Sequence, residues 1–273
     1  MRKDRIMSQY KAVVSDLDGT LLNRYHALSE RTIEAVRGLE KLGVLFIIAT
    51  GRHFKDVMMI RDKLGVMPYM ITANGATVCA PSGDLIYQSA ISKDVVKSIL
   101  SIDVPENVFK NIYQDDLWLM ERESHIFDDY YEDGDFHYTL CRFEERMHFD
   151  TNKIFFTSSE PEDLMPVYNA IKESYGDVVD VTFSLPVVLE VMAKGTNKGT
   201  ALSSLLAGLG IDPAACVAFG DGLNDLEMLD FVGVGHIMGN GDESLKLKLP
   251  HLKVIGKNHE DAVARSIQHL FAL

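Results

Sequence analysis

Apolar runs that stop at small, acidic or glycine-containing turns recur along the chain, separated by stretches whose apolar positions repeat at helical spacing. The first run, Tyr10-Lys11-Ala12-Val13-Val14-Ser15, predicts a strand. Ser29 then supplies a helix cap, Ile33, Val36 and Leu39 share one face of the helix, and Gly43 stops it. Val44-Leu45-Phe46-Ile47-Ile48-Ala49 is apolar throughout, the pattern of a strand buried on both faces of a parallel sheet. A helix over 55–64 before Gly65 and a strand over 69–72 ending at Asn74-Gly75 continue the alternation. From about Gly83 to Ala193 the rhythm changes. There the pattern predicts a hairpin around Gln114-Asp115-Asp116, strands over 154–156, 178–183 and 187–192, and a helix from Pro161 towards Tyr175. The βα rhythm resumes at Lys194 with a helix over 198–209 and the strand Cys216-Val217-Ala218-Phe219 before Gly220-Asp221. The expected fold is α/β: a Rossmann-like core with a parallel sheet flanked by helices, residues 1–83 and 194–273, interrupted by an inserted α+β cap domain, residues 84–193.

Composition narrows the partners. At 273 residues and 47% apolar content the chain can bury a sizeable core. Its 27 basic and 40 acidic residues leave a formal charge of −13, which argues against nucleic acid or an anionic membrane. A small phosphate ester is compatible, because one lysine and a metal ion can outweigh a distant negative surface. Cys79, Cys141 and Cys216 are scattered and lack a Cys-x-x-Cys pair, which suggests a reducing compartment and speaks against structural zinc. The charged start, Met1-Arg2-Lys3-Asp4-Arg5, leads into a strand rather than a signal-peptide apolar segment. No apolar run approaches the roughly 18 residues of a membrane helix, so a cytoplasmic protein is expected. The acidic stretch 121–135 reads as a solvated face of the insertion.

Three strand ends carry candidate chemistry. Asp16-Leu17-Asp18-Gly19-Thr20 places two acids on the loop capping the first strand, facing the crevice where open α/β sheets bind ligands. Such a pair can hold a hard cation or divide nucleophilic and acid-base roles. Lys198 sits at a helix N-terminus, where the dipole disfavours a cation unless an anion compensates; a solvated surface lysine is the plain alternative. In Gly220-Asp221-Gly222-Leu223-Asn224-Asp225, Asp221 can ligate Mg²⁺, Asn224 can hydrogen-bond phosphate, and Asp225 can orient Lys198 or metal-bound water. Taken alone, that acidic loop is equally a helix cap.

Together these segments resemble the haloacid dehalogenase-like phosphohydrolases, specifically the Cof-type branch. Asp16 to Leu21 looks like the family's first motif, Ala49-Thr50-Gly51-Arg52 like its second, Lys194 to Gly199 like its third, and Gly220 to Asp225 like its fourth. Asn74-Gly75-Ala76 and Met238-Gly239-Asn240 resemble Cof-type punctuation. The resemblance implies that Asp16 attacks phosphorus to form an aspartyl phosphate, and that Asp18 protonates the leaving alkoxide and later activates water. It implies Mg²⁺ on the Asp16 carboxylate, the Asp18 backbone carbonyl and the Asp221 carboxylate. Thr50, the Gly51 and Leu17 amides, Lys198 and Asn224 would surround the transferring phosphoryl group.

The expected function is a Mg²⁺-dependent phosphatase acting on small phosphomonoesters, sugar phosphates foremost. The alternatives are a phosphomutase or phosphotransferase, in which the phosphoaspartate passes its group to a sugar, and a non-catalytic phosphate-ligand sensor. His236 and His259 depart from the family pattern and are left outside the site as structural histidines. Tyr113, Trp118 and the acids around Asp115 are read as cap-core packing.

Overall fold

The computed structural model describes residues 9–126, 136–146 and 148–273. The charged start and most of the acidic stretch, residues 127–135, lie outside the described residues. In chain order, β1 (Ala12–Ser15) leads through the turn Leu17–Leu21 to α1 (Glu30–Lys41), β2 (Leu45–Ala49), α2 (Phe54–Leu64), β3 (Tyr69–Thr72), β4 (Thr77–Cys79) and β5 (Leu85–Gln88). Next come α3 (Lys93–Leu100), β6 (Phe109–Gln114), β7 (Leu117–Met120), β8 (Thr139–Leu140), β9 (Lys153–Thr157), α4 (Leu164–Tyr175), β10 (Val179–Leu185) and β11 (Val188–Ala193). The chain closes with α5 (Lys198–Leu209), β12 (Cys216–Gly220), α6 (Leu226–Phe231), β13 (Val234–Ile237), α7 (Glu243–Lys248), β14 (Lys253–Val254) and α8 (Ala262–Phe271).

The strands form two sheets. The larger has the order β14-β13-β12-β1-β2-β3-β4-β5, parallel from β14 to β3. β4 and β5 add antiparallel strands at its edge, so the larger sheet extends past residue 83 to Gln88. That edge was not legible as sheet, because the residues of β5 are all exposed and show no buried alternation. Both faces of the parallel strands are covered, which is why β2 is apolar without interruption. Val13, Phe46 and Ile48 pack towards Val36, Val57 and Ile267 on one side, and Val14, Ile47 and Ala218 pack towards Leu202, Leu206 and Met228 on the other. The predicted helix signals hold: Ser29 accepts from Thr32 N–H at the start of α1, and Gly65 ends α2 in the left-handed region.

The smaller sheet, order β10-β11-β9-β6-β7-β8, is antiparallel except for the β7–β8 pair. Its period-two alternation gives two apolar faces. Ile112, Ile154, Phe156 and Leu189 meet α3 and α4 residues such as Ile99 and Val167, whereas Tyr113, Phe155 and Val188 point to the opposite side, where they cluster with Ala73 and Ala76 of the larger layer. The two chain crossings between the layers touch through Ser89 Oγ and Thr196 Oγ1, 2.8 Å apart. Among the described residues no helix is long and apolar enough to cross a membrane.

Candidate active site

β12, β1, β2 and β3 are consecutive neighbours running in one direction, so the loops at their carboxyl ends open on one crevice. A cavity of about 330 Å³ lies there. Asp16, Asp18, Thr50, Gly51, Asp221 and Asn224 line its floor, and Tyr113, Phe155, Val187 and Val188 form an apolar roof with Lys153 and Glu190 among them.

Asp16 extends β1 by one residue, its N–H donating to the Phe219 carbonyl at 3.0 Å. The chain then turns at Gly19, whose φ is +76°; a Cβ there would lie 2.3 Å from Asp221 Oδ2, so the first and fourth loops approach this closely only with glycine. Lys198 opens α5, whose Asn197 cap accepts from Thr200 N–H. Its side chain is wholly buried, and Nζ donates to Asp16 Oδ1 at 2.7 Å and Asp225 Oδ1 at 2.6 Å. The other Asp225 oxygen accepts from the Asp221 and Gly222 amides at 2.9 and 3.0 Å. Of the two partners open to Asp225 from sequence, the geometry thus gives Lys198, and Asp225 also fixes the fourth loop. Thr20 Oγ1 donates to Asp221 Oδ1 at 2.7 Å.

Carboxylate oxygens of Asp16, Asp221 and Asp225 lie within 4.8 Å of one another. Burial pushes Asp221 up to about 7, reinforced by the Asp225 charge, and burial likewise pushes Asp16 well above the ordinary carboxylate range despite Lys198. Burial works against the Lys198 ammonium, but the charges of Asp16 and Asp225 outweigh it and hold its pKa above the usual value. Three carboxylates against one ammonium leave excess negative charge in an all-oxygen donor set. That fits a hard divalent cation such as Mg²⁺.

Asp18 is arranged differently. Arg52 grips its carboxylate with Nε at 2.7 Å and Nη2 at 2.6 Å, and His26 Nδ1 stands 3.1 Å away. Burial alone would raise the Asp18 pKa, but the Arg52 guanidinium overrides it and holds the group well below the usual range. Its carboxylate is therefore engaged by Arg52 rather than by the cluster of Asp16, Asp221 and Asp225. Thr50 Oγ1 accepts from Arg52 N–H at 3.2 Å, and Asn224 Nδ2 donates to Asn74 Oδ1 at 3.0 Å. Leu17 buries its side chain in the core, leaving only its backbone to serve the site.

Sequence reasoning gave no role to Arg52, His26, Asn74, Lys153 or Glu190. Two of them carried a signal: Lys153 directly precedes the apolar run Ile-Phe-Phe of its strand, and Glu190 is the one charge inside Val-Leu-Glu-Val-Met-Ala. Tyr113 joins the cavity wall, whereas Asp115 lends its carbonyl to His53 Nε2 and Asp116 pairs with Lys55. His236 lies outside this cavity, stacked on Phe219.

A family model described as haloacid dehalogenase-like hydrolase matches residues 13–267. The chain belongs to the haloacid dehalogenase-like hydrolases. It is 38% identical to a provisionally named phosphatase of Haemophilus influenzae, covering 97% of this chain and 98% of that one. It is 34% identical to the HMP-PP phosphatase of Yersinia pestis, covering 95% of each. A haloacid dehalogenase-like hydrolase of Bacteroides thetaiotaomicron superposes with a TM-score of 0.84 at 25% identity, over 96% of this chain and all of the other. The protein is a phosphatase with this hydrolase fold.

Proposed function

We propose that the protein is a Mg²⁺-dependent phosphatase of small phosphomonoesters that works through an aspartyl phosphate, with the smaller layer as a cap inserted into a discontinuous catalytic core. The observation that carries this reading is the pairing of Asp16, on the cavity floor, with the wholly buried Lys198 behind it. One Asp16 oxygen is held by the ammonium and the other is left to attack phosphorus in line. The Asp16 and Asp221 carboxylates and the Asp18 carbonyl would hold the metal, whose positive charge stabilises the transferring phosphoryl oxygens when bound. Thr50, the Gly51 and Leu17 amides, Lys198 and Asn224 surround that group, and positioning with charge stabilisation supplies most of the acceleration.

Asp18 serves as the proton carrier. Held ionised by Arg52, it is ready as the base that activates water in the second half-reaction. To act first as an acid it must take up a proton, which requires Arg52 to be drawn away. A phosphate dianion competes for the same bidentate donors.

Sugar phosphates remain the first substrate expectation, but the roof favours a second reading. Tyr113, Phe155, Val187 and Val188 offer a polyol few hydrogen-bond partners and offer a flat aromatic leaving group a matching surface. The HMP-PP phosphatase relative makes HMP-PP a compound to include. The deciding experiment is a phosphate-release screen over sugar phosphates, nucleotides, flavin mononucleotide, pyridoxal phosphate and HMP-PP, with and without Mg²⁺, using wild type and Asp16→Asn. Release that needs both Mg²⁺ and Asp16 supports the reading; isomerisation of an added sugar phosphate without free phosphate would replace it with the mutase, and tight binding without turnover with the sensor.

A further inference from the structure

We propose that Lys153 and Glu190 are positioning residues that make the phosphoryl-holding loops dependent on cap closure; this rests on the phosphatase reading above. Both belong to the cap sheet, on neighbouring strands β9 and β11, and point from the same face towards the core, with Phe155 standing opposite Glu190 in the register. Their side chains are 4% and 3% exposed and form an ion pair. Each also reaches across the interface. Lys153 Nζ donates to the Gly51 carbonyl at 3.0 Å, and the Glu190 carboxylate accepts from Asn74 Nδ2.

The two core partners in these contacts, the Gly51 carbonyl and the Asn74 side-chain amide, are parts of one framework. Asn74 N–H donates to the Thr50 carbonyl at 3.0 Å, Ala73 N–H donates to the Arg52 carbonyl at 2.8 Å, and Asn74 Oδ1 accepts from Asn224. Asn74 itself is held in the left-handed region, φ +54°. Glu190 thus fixes the amide orientation of Asn74, which in turn aims Asn224, while Lys153 fixes the Gly51 peptide. Two cap charges thereby set groups on the second and fourth loops, both beside Asp16. The Tyr113 and Phe155 rings, with centroids 5.3 and 5.0 Å from Lys153 Nζ, hold the ammonium in place.

Energetics argue against a purely structural purpose. A buried ion pair gains little over well-packed apolar side chains, because desolvation consumes most of its attraction. Its distinctive property here is that both charges find their remaining partners only when the two layers meet. An open cap takes the Glu190 acceptor from Asn74 Nδ2 and leaves the Gly51 carbonyl to solvent, so the loops are fully ordered for phosphoryl transfer only in the closed state. A leaving group that lets the cap close is thereby selected through kcat.

The test compares Lys153→Met, Lys153→Arg, Glu190→Gln and the double variant Lys153→Met/Glu190→Leu in phosphate release, with wild type and Asp16→Asn alongside. Misplaced loops predict a fall in kcat of about 10- to 100-fold for Lys153→Met and Glu190→Gln with KM little changed. Lys153→Arg should recover part of the rate, and the double variant should be no slower than the worse single one, because each single change already breaks the shared link. Hydrogen exchange should quicken at residues 50–52 and 73–76 in both single variants while α3 and α4 stay protected, a readout independent of turnover and available even from the apolar double variant if Lys153→Met does not fold. Unchanged kcat together with unchanged exchange in those segments overturns the proposal while leaving the phosphatase reading intact. Full activity of Asp16→Asn would instead remove the reading on which it stands.

Discussion

The floor and the roof of the cavity are built on opposite plans. On the floor, loops at the ends of parallel strands carry Asp16, Asp221 and Asp225, and the first residue of α5 adds Lys198 beneath them, so that three carboxylates face one ammonium. The roof is part of one face of the smaller sheet, mostly aromatic and aliphatic where it lines the cavity, and the Lys153 and Glu190 charges there are paired with each other. In the proposed mechanism, charge at the floor handles a phosphoryl group whatever its ester, the apolar part of the roof meets the leaving group, and Lys153 and Glu190 act back on the floor loops. A change on the floor, or at Lys153 or Glu190, should therefore alter the rate for every substrate, and a change in the apolar part of the roof should alter the ranking among them.

The sharpest challenge to that division is Asp16→Asn, which should lower phosphate release by about 10⁴-fold or more for all esters and abolish phosphoenzyme formation. Selective loss with one substrate would break the comparison. Asp18→Asn should slow both leaving-group departure and hydrolysis of the intermediate, by about 10²–10⁴-fold in single-turnover kinetics. An effect confined to one half-reaction would take away half of its assigned role.

On the roof, Phe155→Leu should shift the ratio of kcat/KM between an aromatic and a sugar phosphate by roughly 5- to 10-fold, the worth of about one aromatic contact. Inhibition by orthovanadate, which probes the floor, should stay constant. A parallel fall for both substrates would mean that roof and floor are not separable at this position.

The smallest expected effect is thermodynamic. The Asp221 pKa of about 7 lies above its unfolded value, so the native state holds an extra proton between about pH 4 and 7. Stability of the metal-free protein is helped by this group at low pH and declines as pH rises through that window. Bound Mg²⁺ would supply positive charge to these carboxylates, so the rise in Tm on adding it should be larger at pH 8 than at pH 5, and Asp221→Ala should weaken the metal titration. A Tm shift independent of pH would contradict the floor's excess charge.

Much of the floor was legible because its residues occupy strand ends. Val44 to Ala49 announced a strand buried on both sides, and the acids of the first and fourth loops followed similar runs. Lys198 was visible as a misplaced cation at a helix start, yet nothing local said that it would be wholly buried between Asp16, 182 residues away, and Asp225. Arg52 stands within the second motif with no sign of its partner, since its grip on Asp18 spans two loops. The roof was harder to read. Its alternation gave the strands, but which face turns towards the core depends on how the two sheets pack.

The sequence by itself determined the alternation of strands and helices, the interruption between the two halves of the larger sheet, and the acids and lysine available for phosphate chemistry, because these depend on residue type and near-neighbour spacing. Tertiary structure alone decided that Arg52 holds Asp18, that Asp225 serves Lys198, and that Lys153 and Glu190 span the layers to Gly51 and Asn74. Each of those contacts joins residues from different loops or layers, and its strength comes from the shared exclusion of water that only the folded arrangement creates.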